Sequence, residues 1–284
     1  MNQQTFSTTR RGIPPFIITA YLLAGLYALT ILVPFYFVFV SAFKDNAEIF
    51  SSTPLALPQT WSFAKFELAQ ERVDMFGAMG QSFRIVLGAE GLTLLLGFPA
   101  AYAVARIRVW LAGWVELLFA MAFLIPTFAL ILPVFLLSAD LKMLYDPIYL
   151  MVFYSASRLS LTVILLSRHM RDIPIEMEEA AMIDGANRLQ IIYQVILPLT
   201  QSGIVTVLIL NFIEFWNEYL FALILLSGDQ KTVQLALPLL RSERLVDYGL
   251  VASGVVMAVV PLYVLFVVFQ ERIVTGMLSG SVKA

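Results

Sequence analysis

Cysteine is absent from the 284 residues, and histidine occurs once, at His169. Without thiols there can be no disulfide, thiolate metal site or cysteine nucleophile. One imidazole is too little for a zinc site or a histidine-based triad. Charge is scarce too: 13% of residues are Asp, Glu, Lys or Arg, about half the share of about 25% typical of soluble domains. The net charge of −2 gives no general attraction to nucleic acid. No GxxxxGK[ST] segment occurs, so the chain lacks the glycine-rich loop and lysine that cradle nucleotide phosphates.

Apolar sequence fills the space these absences leave. The chain is 60% hydrophobic with a mean hydropathy of +0.85. It has room for six spans and no sizeable extramembrane domain. The expected fold is all-α: one multi-pass transmembrane domain over residues 1–284. Runs long enough to cross a hydrocarbon core of about 30 Å lie near 15–43, 84–105, 110–138, 148–167, 203–227 and 249–269. Several hold proline (Pro34, Pro99, Pro126, Pro133, Pro261), which bundles tolerate because neighbours re-satisfy the freed carbonyls. The first run is expected to stay in the mature chain, being too long for a signal-peptide core. Arg10-Arg11 suggests twin-arginine export, but Gly12-Ile13-Pro14-Pro15 follows and speaks against it.

The longest polar gap on the expected cytoplasmic side, about 168–198, has its own local logic. Ile173-Pro174 ends a helix, since proline disfavours helical backbone in the residue before it. Glu176 to Ile183 reads as a short amphipathic helix, with Ile175, Met177, Ala180 and Ile183 able to share a side. Ala180 and Ala181 are small enough for a partner backbone to approach closely. Asp184-Gly185 supplies a turn, glycine being the residue that takes positive φ at no steric cost. Leu189 to Leu197 reads as a second helix, and Pro198 marks entry to the fifth span. A soluble-looking helix-turn-helix between two spans implies docking to a soluble partner; the alternative is a hairpin packed only on its own bundle.

The spacing Glu179-Ala180-Ala181, three residues, Gly185, nine residues, Val195-Ile196-Leu197-Pro198 resembles the EAA loop of bacterial ABC importer permeases, with Val195 where Ile is usual. Ser41-Ala42-Phe43-Lys44, Ala101-Tyr102-Ala103-Val104-Ala105-Arg106, Trp216-Asn217-Glu218-Tyr219 and the tail Gly276 to Lys283 are similar, in the same order, to the carbohydrate branch of that family, the MalG-like permeases. Two departures stand out. Arg158-Leu159 replaces a Leu-Pro common in the fourth span, and Gln81-Ser82 replaces an Asn-Ser at the start of the second.

The resemblance implies a bacterial inner-membrane, multi-pass subunit with both termini cytoplasmic. Lys and Arg near the span ends divide nine inside to eight outside, so the positive-inside rule does not decide orientation and the resemblance does. It further implies a second homologous permease, two ATPase subunits, an extracytoplasmic solute-binding protein and a sugar substrate. The loop after Gly228 would reach toward the binding protein, and the tail 270–284 toward the ATPases. ATP and magnesium would bind on the partner ATPase, leaving this chain with no cofactor, metal or catalytic residue. Glu179, Ala180, Ala181, Asp184 and Gly185 would form the ATPase-coupling site, with Glu179 facing a basic group on the partner.

Ionisable side chains inside spans are costly and face the bundle or a wet cavity. Here they are Glu90, Glu116, Arg158, Glu214 and Glu218. Asn211, Glu214, Phe215 and Glu218 share a stripe roughly 100° wide on a continuous helix, the mix of planar polar groups and an aromatic face that binds sugars. Together with Arg158 they are the candidate substrate path. Arg158 either neutralises Glu214 or Glu218, meets an acidic, phosphorylated or sulfonated sugar, or bonds only backbone and water. Other readings are an ABC permease for a polyamine or another non-sugar solute, and a proton-coupled carrier relaying through Glu90 and Glu116.

Overall fold

The computed structural model describes residues 15–106, 110–241 and 246–279. Arg10, Arg11, Arg108, Arg244 and the last five residues of the tail lie outside them. Helices account for most of the described backbone, and no strand occurs among the described residues. In order they are α1 (Pro15–Ser41), α2 (Asn46–Ser51), α3 (Ala64–Val73), α4 (Met75–Arg106), α5 (Trp110–Phe123), α6 (Ile131–Asp140) and α7 (Pro147–Arg171). There follow α8 (Glu176–Ile183), α9 (Arg188–Gln190), α10 (Leu197–Leu199), α11 (Gln201–Asn217), α12 (Leu220–Leu225), α13 (Val233–Leu239) and α14 (Tyr248–Ser279). α1, α4, α7 and α14 are each long and apolar enough to cross a membrane. Two sharply bent helix pairs bring the total to six if each counts as one span.

α4 packs most extensively on α7. Gly88 and Gly97 permit this, since a Cβ there would come within 2.7 Å of Met151 Sδ and Thr162 Cγ2 respectively. Close approach of this kind drives helix association in lipid, where apolar burial alone gains little. α11 and α14 complete the bundle. One apolar core centres on Trp216, Tyr154 and Phe215. A second, toward the α8 end, centres on Leu166, Met170 and Ile196. α1 is exposed from Phe16 to Tyr36 and buries only its last turn, against α14.

Four expectations change. The run 110–138 is not one straight helix: it bends by 88° between Phe123 and Thr127, where Pro126 cannot donate to the preceding turn. The run 203–227 breaks after Asn217, with Glu218 extended at φ −70°, ψ 128°, before α12 resumes. The second run extends outward to Met75, and short helices occupy the segments between spans: α2 and α3 before α4, and α13 before α14. The last helix continues to Ser279, well into what was read as a tail.

At the α2–α3 end, α14 is latched by polar contacts. Asn46 donates to Val246 O at 2.7 Å and accepts from Tyr248 N at 2.9 Å. Lys65 Nζ meets Asp247 Oδ2 at 2.5 Å, while Asp247 Oδ1 accepts from Leu250 N at 3.0 Å. Burial pushes the Asp247 carboxyl up, but the Lys65 bond, the Leu250 amide and nearby positive charge outweigh it and hold the group below the usual value. A folded-state pKa below the unfolded one adds stability above the ordinary carboxylate range, and that stability is lost as pH falls through the lowered value. Melting of the detergent-solubilised protein should therefore show an acid-side decline that is shallower in Asp247→Asn.

Gly249 lies in the same latch. A Cβ there would sit 2.0 Å from Lys44 O and 3.3 Å from Ser41 O, backbone atoms that cannot swing aside. Gly249→Ala is expected to lower the melting temperature by an amount matching about 1–3 kcal/mol of overpacking. Gly80→Ala, inside α4 with nothing within 4 Å of the added atom, should not lower it, since alanine favours helix over glycine.

Candidate functional site

Two regions gather the residues singled out by the sequence. The first is the elbow between α7 and α11. α7 closes at Asp172, whose N–H bonds back to Arg168 O. After Ile173-Pro174 the chain turns into α8, whose bounds match the sequence expectation. α8 ends in a Schellman motif: Gly185 N–H bonds Met182 O at 3.1 Å and Ala186 N–H bonds Ala181 O at 3.0 Å, with Gly185 at φ 88°. This left-handed position favours glycine because it carries no Cβ. Asn187 and Gln190 then form a reciprocal capping box at 3.0 and 2.7 Å, which starts the second helix.

That second helix runs from Arg188 to Leu199 rather than Leu189 to Leu197. Its middle, Ile191–Ile196, is a π turn just before Pro198, whose missing N–H leaves the preceding carbonyls short of a donor. It meets α11 at 73°.

The burial pattern of α8 is inverted. Its one buried side chain is Glu178. Its apolar members point outward: Ile183 is 86% exposed, with Met177 and Met182 about half exposed. Ile175 before it, and Leu189 and Tyr193 after it, extend the apolar surface. Glu179 and Ala180 are exposed and Ala181 is half-buried; Asp184 and Gly185 are exposed at the turn. Glu178 is held by two residues of α4. Tyr102 OH donates to its Oε2 at 2.8 Å, and Arg106 Nε to its Oε1 at 2.5 Å. Arg106 also donates to Ile173 O at 3.0 Å. Next to this, Arg171 grips Glu116 of α5 through both guanidinium nitrogens, at 3.0 and 2.7 Å.

The second region is a cleft at the side of the bundle where both helix breaks meet. It is lined by the α5–α6 bend (Ala122 to Thr127), by Phe153, Tyr154, Ser157 and Arg158 of α7, and by Glu214, Phe215, Glu218 and Phe221. Arg158 pairs with Glu214. Glu218 accepts from Tyr154 OH at 2.6 Å and from the Phe221 and Ala222 amides at 2.8 and 3.0 Å, so it caps α12. The Tyr154 and Phe215 rings stack at 5.1 Å with 3° between planes. Irregular backbone at membrane depth is tolerated only where it is buried in protein or lines a cavity. Two breaks facing one cleft are therefore a strong pointer to a transport path.

The cleft thus assembles four of the five residues named for it. Asn211 is elsewhere: fully buried, donating to Thr162 Oγ1 at 3.2 Å and lying beside the buried Glu90. Asn211 shares α11 with Glu214 and Phe215 but lies about one turn further from the break, where its amide meets α7 instead. Sequence reading missed Tyr154, although its position four residues before Arg158 places it on the same helix face. The cavity is about 70 Å³, room for a few waters and far below the about 300–1,000 Å³ of typical small-molecule sites.

A family model described as "Binding-protein-dependent transport system inner membrane component" matches residues 94–278. The chain is similar to the melibiose/raffinose/stachyose import permease MelC of Bacillus subtilis: 32% identity over 269 residues, 92% of this chain and 95% of that one. It is also similar to the diacetylchitobiose uptake permease NgcG of Streptomyces coelicolor: 30% identity over 271 residues, 94% and 89% of the two chains. Among solved structures, a bacterial ABC transporter for the acidic polysaccharide alginate superposes with a TM-score of 0.80 at 23% identity, covering 95% of this chain and 99% of the other.

Proposed function

Because the chain belongs to the binding-protein-dependent transport system inner membrane components, we propose that it is the membrane-spanning permease of an ATP-driven sugar importer working by alternating access. One observation carries the reading: α8 buries its carboxylate Glu178 and presents Met177, Met182 and Ile183 outward. An apolar surface on a loop outside the bundle marks a protein interface. The elbow faces the cytoplasm, as do both termini, and it docks on one of two ATPase subunits. Glu179 pairs there with a basic group, and Ala180 and Ala181 admit the partner's backbone. Such a pair fixes register more than it adds affinity.

A second homologous permease supplies the other wall of the pathway, and an extracytoplasmic solute-binding protein delivers the sugar. Relatives named for melibiose, raffinose and diacetylchitobiose support the substrate class. Among the described residues lining the cleft Arg158 is the only cation, and Glu214 neutralises it. This favours an uncharged sugar over an anionic one.

The test is uptake by proteoliposomes holding the whole complex and the binding protein. Uptake of a neutral oligosaccharide should require Mg-ATP, stop with orthovanadate and survive a protonophore. Uptake abolished by the protonophore with ATP intact would replace this reading with a proton-coupled carrier.

A further inference from the structure

The sequence segment Ala101 to Arg106 has no role in docking or in the cleft, yet its two polar side chains both converge on the elbow. Arg106 and Tyr102 lie one helical turn apart at the end of α4, on the face that meets α8. Between them they occupy both oxygens of Glu178. The side chains of Arg106 and Glu178 are 12% and 6% exposed, so water screens the pair little. Arg106 simultaneously holds Ile173 O, in the four-residue link between α7 and α8. The same guanidinium therefore fixes both α8 and the hinge about which α8 would otherwise swing.

α4 then runs unbroken past Pro99 to Met75, the full depth of the bundle. At its far end Ser82 Oγ accepts from Val233 N at 2.8 Å, the first residue of α13. The elbow also packs on the bundle through Ile173, Ala181, Ala186, Ile191 and Ile196; the Glu178 tie is its charged, hydrogen-bonded link to α4.

We propose that Arg106 and Tyr102, by clamping Glu178 and the Ile173 carbonyl, join α8 and α4 into one rigid lever that delivers elbow movement to α13 at the opposite surface. Arg106, Tyr102 and Glu178 are positioning residues: they transmit displacement and touch neither sugar nor nucleotide. The lever rests on the importer reading above, because something outside the chain must move the elbow. A buried ion pair is weak evidence for stability, and its use here is to make two elements move as one. Glu179, next in sequence, points outward and is left for the partner.

The absence of native cysteine makes paired spin labels straightforward. Glu176→Cys with Leu95→Cys reads α8 against α4, and Leu95→Cys with Tyr263→Cys reads α4 against α14. Distances are measured in the full complex, nucleotide-free and then trapped with Mg-ATP and orthovanadate. In the otherwise native chain the first distance should hold while the second shifts by several ångström. In Glu178→Gln or Arg106→Gln the first should shift and the second stay near its resting value. The charge-swapped pair Arg106→Glu with Glu178→Arg should restore the native pattern, which loss of stability alone cannot explain.

A first distance that shifts on trapping in the native chain, or a Glu178→Gln complex indistinguishable from native, overturns the lever. Failure of the native chain to form any vanadate-trapped complex overturns the importer reading, and the lever with it.

Discussion

Ile183→Asp is expected to strip the ATPase from the complex and abolish ATP-driven uptake while leaving the permease folded. Ile183 is 86% exposed at the end of α8, so its loss removes little from the chain's own packing. An exposed substitution of this kind changes stability by within about 0.5 kcal/mol. At an interface the same position is an apolar anchor, and truncating such an anchor costs about 2–4 kcal/mol. That corresponds to about 30- to 1,000-fold in affinity, at 1.4 kcal/mol per tenfold, and aspartate adds a buried charge. Co-purification of the ATPase and uptake should both fall over this range, with the melting curve of the isolated permease unchanged. Glu179→Arg should act differently, slowing association and making it more salt-dependent. Undiminished co-purification by Ile183→Asp would leave the hairpin as a structure packed only on its own bundle.

Arg158→Leu carries the second large effect. It leaves Glu214 without its partner at membrane depth, where an uncompensated charge is expensive. Uptake of a neutral and of an anionic sugar should fall together, by about tenfold or more, which is within the coupling range of contacting groups. Arg158→Leu with Glu214→Leu should recover most of the loss, since apolar replacement of both members of a pair is often close to neutral. Glu214→Leu alone frees the guanidinium, and the preference should tilt toward anionic sugars. Loss confined to the anionic sugar in Arg158→Leu would instead make Arg158 a substrate contact.

What the sequence disclosed followed the strength of local signals. α8 was legible at both ends because Pro174 and Gly185 each impose a backbone constraint independent of tertiary context. The spans were legible from apolar length alone. Their breaks were not, because composition stays apolar through Leu124-Ile125 and through Leu220 to Leu225, and a hydropathy window does not register a bend. The site was legible in part for the same reason. A helical wheel grouped Glu214 and Phe215 on one face of α11; Glu218 lines the same cleft from the break after Asn217, and Asn211 does not line it.

Among Glu176, Glu178 and Glu179, periodicity gives no means to say which turns inward. That choice is made by Arg106, 72 positions away. Likewise nothing local distinguishes Asn211, whose burial depends on Thr162 of α7.

The inside-out helix α8 has a cost before assembly. If the elbow docks as proposed, a newly inserted copy without its motor would display Ile183, Met182 and Tyr193 to the cytosol, the kind of greasy patch that chaperones and quality-control proteases read as damage. Orphan copies should therefore be short-lived, and the cell must synthesise permease and motor in balanced amounts for either to accumulate.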